Sequence, residues 1–197
     1  EEPAISRRML TTMRKHGNRL SRLVDDMLVV SRLESGENTA LNREPFDLIE
    51  CANDVIERLE QLITSSGAKL KSDFPTEQIL LNGDRFYWTQ VMFNLLENAV
   101  KQNQNRDLKL TFSISKLSGG RLQIVISDNG IGIPSSHLPF IFKRFYRVDK
   151  HHSQSDIKGT GLGLSIVKRA VEAHDGIIEA TSQPGVKTSF TITVPSA

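Results

Sequence analysis

Cysteine is nearly absent from this sequence. The 197 residues hold one, Cys51, so no internal disulfide can form and a structural zinc site built on thiolates is excluded. Long apolar runs are missing too. No stretch approaches the roughly 18 uninterrupted apolar residues of a membrane-spanning helix, and the opening EEPAISRRML lacks the form of a signal peptide. Charge of one sign is not in excess: 25 Lys and Arg against 23 Asp and Glu leave a formal +2. That balance gives no reason to expect a nucleic-acid or membrane-surface partner. There are no internal repeats and no low-complexity tracts. These absences fit a reducing, cytoplasmic setting. What is present, 38% hydrophobic and 24% charged residues, is the composition of a globular domain with a real core.

Residues 4–34 read as one long helix. Met9, His16, Leu23 and Val30 recur at intervals of seven, and Met13, Leu20 and Met27 form a second row four positions on. Charged residues such as Arg14, Arg19, Arg22 and Asp26 flank this heptad-type stripe, and Gly17 alone interrupts it. With nothing local to cover it, the stripe is expected to pair with other helices. The chain opens inside this pattern, which reads as a piece of something longer. Residues 36–45 read as a linker, with Gly36 as a C-cap and Pro45 as a stop.

From residue 46 the pattern becomes that of a compact mixed domain. A helix is expected from about 47 to 65, ended by Gly67, with strand-like runs at 68–74 and 78–82. Asp84 caps a helix reaching 102. Two strands meet at Ser118-Gly119-Gly120, a hairpin signal, and the final residues from Gly176 form a second hairpin. Helices interleaved with antiparallel hairpins predict an α/β two-layer sandwich, a sheet covered on one face.

Four short motifs carry chemistry. Asn94, Asn98 and Lys101 share one face of the helix after Asp84. Amide oxygens beside an ammonium suit a hydrated Mg²⁺ carrying polyphosphate, although a solvated helix face would look the same. SDNGIGIP (127–134) sets Asp128 at the end of an apolar strand, before Gly130 and Gly132. A carboxylate there can accept from an exocyclic amino group; the plainer reading is an Asn-Gly turn. FIFKRFYRV (140–148) alternates aromatic and basic residues, with Phe142 and Phe145 expected to anchor the loop in the core. The polar run 149–158 has the character of a lid, and its adjacent His151 and His152 are read as solvated. GTGLG (159–163) then opens a helix, where bare backbone N–H groups can receive an anion. Its spacing is neither a Rossmann fingerprint nor a Walker loop.

In this order, the four motifs resemble the boxes of the ATP-binding domain of sensor histidine kinases, in the superfamily shared with gyrase, Hsp90 and MutL. NLLENAVK resembles the asparagine box, DNGIGIP the first glycine box, IFKRFYRVD the phenylalanine box and GTGLGLSIVK the second glycine box. RLSRLVDDMLVVSRLESG resembles the end of the second helix of the family's dimerisation and phosphotransfer hairpin. The resemblance spans essentially the whole chain. It implies a Bergerat-type sheet, mixed but mostly antiparallel, preceded by one helix: residues 1–35 as the hairpin helix, 36–45 as the linker and 46–197 as the ATP-binding domain.

By position, the resemblance makes Asn98 the Mg²⁺ ligand and gives catalytic work to Asn94 and Lys101, with Lys101 on a phosphate. Asp128 would bind the adenine amino group, with Gly130, Gly132 and Ile133 shaping that pocket and Thr188 fixing the base from the last hairpin. Phe142 and Arg144 would serve from the phenylalanine box. Gly159, Thr160, Gly161, Leu162, Gly163 and Leu164 would form the lid base and the phosphate-binding helix start. ATP and Mg²⁺ are the implied cofactors, a response-regulator receiver domain and a second copy of the chain the implied partners. The family's acceptor histidine lies in the first hairpin helix, which is not in this sequence; His16 is read as a seam histidine. Departures from the pattern are Gln102, where an aromatic is usual, Lys143, where an acid is common, and Lys187, where glycine is usual.

Overall fold

The computed structural model describes residues 2–34, 41–102, 107–148 and 160–197. Helix α1 spans Glu2–Glu34. The remainder runs β1 (Glu44–Asp47), α2 (Leu48–Ser66), β2 (Lys69–Asp73), β3 (Leu80–Gly83), α3 (Arg85–Lys101), β4 (Lys109–Leu117) and β5 (Arg121–Asp128), then α4 (Gly163–Ala173), β6 (Ile177–Gln183) and β7 (Lys187–Pro195). Asp84 and Gly67 cap as the sequence predicts, and Asp47 is a further N-cap. Asp47 accepts from Ile49 N–H at 2.9 Å at the start of α2, and Asp84 accepts from Phe86 N–H at 3.0 Å at the start of α3. Gly67 closes α2 in the left-handed conformation, φ 72°.

The main sheet has five strands in the order β2-β4-β5-β7-β6. Its pairs are antiparallel except β2–β4, which is parallel. Every second residue of the central strands is buried: Leu110, Phe112 and Ile114 on β4, Leu122, Ile124 and Ile126 on β5, and Phe190, Ile192 and Val194 on β7. They join one apolar core with Leu48, Val55 and Leu59 of α2, Trp88, Met92 and Leu96 of α3, and Val167 and Val171 of α4. The intervening residues of β4 and β7, such as Ser113, Ser115 and Thr191, are more exposed, so the helices cover one face, as the alternation predicts.

Two expectations need correction. Pro45, read as a stop, lies inside β1, a four-residue strand that pairs antiparallel with β3 in a separate small sheet. Residues 41–45 are therefore tied to the domain. Asn42 N–H donates to Asp84 Oδ2 at 3.1 Å, and Arg43 donates to Asp175 Oδ2 at 2.9 Å and to the Ala173 carbonyl. Phe145, expected as a core anchor, is 57% exposed. It adopts φ 58°, and its backbone does the anchoring: its N–H donates to the Gly161 carbonyl at 2.9 Å.

The apolar stripe of α1 is divided. Met9, Met13, Leu20 and Met27 are exposed, and so is His16. Val30, Leu23 and Val29 instead pack on Leu162 and Ile166 at the start of α4. Part of the stripe thus does have a partner within the chain. Behind α4, His174 fixes its far end. Its Nε2 accepts from Asp84 N–H at 2.9 Å while its Nδ1 donates to the Ala170 carbonyl at 2.7 Å, which ties the C-terminus of α4 to the N-cap of α3.

Candidate functional site

The site grows from the place where β5 ends. Asp128 is its last residue, and the register sets it directly opposite Thr188 of β7, which in turn stands opposite Ser182 of β6. Directly paired residues share a sheet face, so a carboxylate and two hydroxyls form a polar row one step beyond the core row Ile126, Phe190 and Ala180. Asp128 and Thr188 are buried at 7% and 4% exposure. Buried polar groups need partners. Asp128 Oδ1 accepts from Gly130 N–H at 2.9 Å, and Ser182 Oγ lies 3.0 Å from Thr188 Oγ1.

The first glycine box lies over the β6–β7 turn. Ile133 N–H donates to Ser182 Oγ at 2.8 Å, and Gly185 N–H donates to the Ile131 carbonyl at 3.0 Å. Gly132 makes this crossing possible. Its φ is 76°, and a Cβ there would stand 2.5 Å from Pro184 Cα. Gly161 plays the same part in the second box: φ is 76°, and a Cβ would meet Phe145 Cα at 2.9 Å. Both glycines are needed first for backbone-on-backbone contact. Phe142 packs against the core edge-on to Phe190, ring centroids 6.4 Å apart, and Arg144 is exposed on the same loop.

On the other side, α3 and α4 meet through Asn94. Its Nδ2 donates to the Gly163 carbonyl at 3.3 Å while its Oδ1 accepts from Gln90 Nε2 at 3.1 Å. Gly163 leaves space here, since a Cβ would come only within 3.6 Å of the Asn94 side chain. Asn98 lies one turn further along the same face, half-buried. Lys101 Nζ is 2.6 Å from Glu97 Oε1, and Arg22 of α1 reaches the same oxygen at 3.9 Å. Leu162 is buried against Val30 and Ile166, so its side chain faces α1; its N–H donates to Thr160 Oγ1 at 3.2 Å. Thr160 in turn donates to Asp26 Oδ2 of α1 at 3.0 Å. Burial pushes the Asp26 carboxyl up from its ordinary value, with the Thr160 hydrogen bond opposing. Leu164 packs on the main core.

The named residues therefore fall into two groups: Asp128, Gly130, Gly132, Ile133 and Thr188 at the sheet end, and Asn94, Asn98, Lys101, Thr160, Gly161 and Gly163 along α3 and the mouth of α4. Gly159 and the pair His151–His152 lie outside the described residues. Sequence reading missed Glu97, Asp26 and Ser182. Glu97 and Lys101 at four-residue spacing were a visible signal; the other two become visible only through register and docking. Among the described residues, no group of three or more His, Cys, Asp or Glu could hold a metal ion. A cation here would depend on amide, water and phosphate oxygens, a donor set that suits Mg²⁺. No helix among them is long and apolar enough to cross a membrane.

Comparison with known proteins agrees with this fold. The family model for histidine kinase-, DNA gyrase B-, and HSP90-like ATPases matches residues 83–197. The chain is 36% identical over 196 residues to the sensor protein kinase WalK of Staphylococcus aureus, covering 99% of this chain and 46% of that protein. It thus spans less than half the length of that relative. Among solved structures, full-length ShkA in complex with AMPPNP aligns with a TM-score of 0.82 and 27% identity, over 97% of this chain and 39% of that one. Acinetobacter baumannii histidine kinase AdeS aligns with a TM-score of 0.77 and 26% identity, over 95% and 83%. The chain belongs to the histidine kinase-, DNA gyrase B- and HSP90-like ATPase family.

Proposed function

We propose that this chain is the catalytic portion of a sensor histidine kinase, with residues 46–197 as the ATP-binding domain and α1 as the second helix of a dimerising hairpin. Asp128 accepts from the amino group of adenine, Thr188 contacts the same base, and Gly130, Gly132 and Ile133 line that end. Asn98 supplies an amide oxygen to Mg²⁺, which neutralises phosphate charge when bound. Lys101 and the backbone N–H groups at the mouth of α4 meet the phosphates. The single observation that carries this reading is the buried Asp128–Thr188 carboxylate–hydroxyl pair at the strand ends, in a fold that also holds a glycine helix start on Asn94.

The reaction is phosphoryl transfer. An imidazole nitrogen forms a bond to the γ-phosphorus as the bond to the β–γ bridging oxygen breaks, and ADP leaves. The acceptor is a histidine on a helix outside these 197 residues, and the phosphoryl group passes next to an aspartate of a response regulator. Asn94 favours transfer over hydrolysis, because an amide cannot act as the general base that would activate water. The chain works on the cytoplasmic side as part of a homodimer. Mixing it with a separate hairpin that carries an acceptor histidine and with γ-labelled ATP tests the proposal. Acid-labile label on the hairpin is expected, and steady phosphate release without labelled hairpin would replace this reading with that of an ATPase.

A further inference from the structure

Ser182 sits at the crossing of three elements, and its hydrogen bonds assign it a task that neither Asp128 nor Thr188 performs. A serine hydroxyl has one proton to give and two lone pairs. One lone pair takes the Ile133 N–H at 2.8 Å. The proton has two candidate acceptors, Thr188 Oγ1 at 3.0 Å and the Lys187 carbonyl at 3.5 Å. The shorter contact is the stronger one, since 3.5 Å lies beyond the usual range for an O–H donor. Either hydroxyl can donate in that contact; with Ser182 as the donor, the network is Ile133 N–H to Ser182 and Ser182 to Thr188. In that arrangement the Thr188 proton is directed away from Ser182, on the face Thr188 shares with Asp128.

We propose that Ser182 is a positioning residue of the base-reading pocket: by donating to Thr188 Oγ1 it makes Thr188 a donor toward the base, beside Asp128, an acceptor. This rests on the nucleotide reading above and deepens it. An acceptor next to a donor matches the edge of adenine, where an amino group adjoins an unprotonated ring nitrogen. It opposes the edge of guanine or hypoxanthine, where a carbonyl adjoins a protonated nitrogen. A site whose buried groups face the wrong polarity leaves them unpaired and rejects that base. Ser182 also fixes the distance between the two sides of the pocket, because the same oxygen holds the backbone of the first glycine box at Ile133.

The test is calorimetric titration of the chain and of Ser182→Ala, Ser182→Thr and Thr188→Val with ATP and with 1-deaza-ATP, which keeps the amino group but lacks the ring nitrogen. The unmodified chain should prefer ATP by about tenfold, one well-made hydrogen bond. Ser182→Ala should bring that ratio toward unity, as should Thr188→Val, while Ser182→Thr, which keeps a hydroxyl, should restore it. A purely structural serine would weaken both ligands equally and leave the ratio unchanged; that result overturns the assignment. An unmodified chain that binds neither ligand overturns the nucleotide reading itself, and this proposal with it.

Discussion

Asp128 and Thr188 stand directly opposite each other on β5 and β7, both buried, with Ser182 next in the row on β6. The core ends at the neighbouring same-face pair, two residues away along each strand, Ile126 and Phe190. A carboxylate and a hydroxyl occupy this row because the sheet stops there and the first glycine box folds across its end. The same crossing explains why Gly132 tolerates no side chain.

Gly132→Ala is expected to cost about 3 kcal/mol, combining left-handed strain with a backbone collision. Gly119 provides the control. It has a similar φ of 75°, but a methyl group added there would meet no atom within 4 Å, so Gly119→Ala should cost only about 1–2 kcal/mol. Urea unfolding of the two variants checks the difference; equal losses would show that Pro184 moves aside freely.

Asn98→Ala should remove the Mg²⁺ dependence of ATP binding, weakening the Mg²⁺-ATP complex by about tenfold or more, while the thermal midpoint stays within a few degrees. Unchanged affinity would remove Asn98 from the metal site.

His174 makes stability depend on pH. Burial holds its imidazole below the ordinary value of 6.5; the Ala170 hydrogen bond and the carboxylates of Asp84 and Asp175 oppose this, and Arg43 adds to it. The neutral ring is also required as the acceptor of the Asp84 N–H. Above pH 6.5 neither state binds the proton. Below it the unfolded chain takes up the proton before the native one does, so stability falls as pH drops, by at most about 1.4 kcal/mol per pH unit. Urea midpoints between pH 8 and 5.5 should show that slope, and His174→Phe should flatten it.

Asp26 and Thr160 join α1 to the mouth of α4. Asp26→Asn keeps an acceptor and removes a charge whose burial is unfavourable, so α1 should remain docked at least as firmly. Thr160→Val deletes the donor and should loosen it by about 1 kcal/mol. Hydrogen exchange along residues 22–33 reads both. Loosening by Asp26→Asn to the same extent as by Thr160→Val would mean that the charge itself holds the helix.

Much of this was legible in the sequence because it is local. Asp84 caps its helix, Gly67 ends one, and the alternation of β4, β5 and β7 names the covered face. The asparagine and glycine motifs likewise announce themselves by spacing. The parallel pairing of β2 with β4 was not legible, since strand direction depends on where α2 and α3 carry the chain. β1 was hidden because four residues containing a proline carry no strand period. Phe145 misled because its aromatic ring suggested burial, whereas its backbone makes the contact with Gly161. Ser182 gave no signal either: a hydroxyl gains its meaning from register, here from pairing with Thr188.

The most direct test of the central claim is a calorimetric titration of the purified chain with ATP, with and without Mg²⁺, and with GTP beside it. Binding that requires Mg²⁺ and favours ATP over GTP is the expected result. No binding at millimolar ATP, or equal binding of both nucleotides, would contradict the site built on Asn98, Asp128 and Thr188.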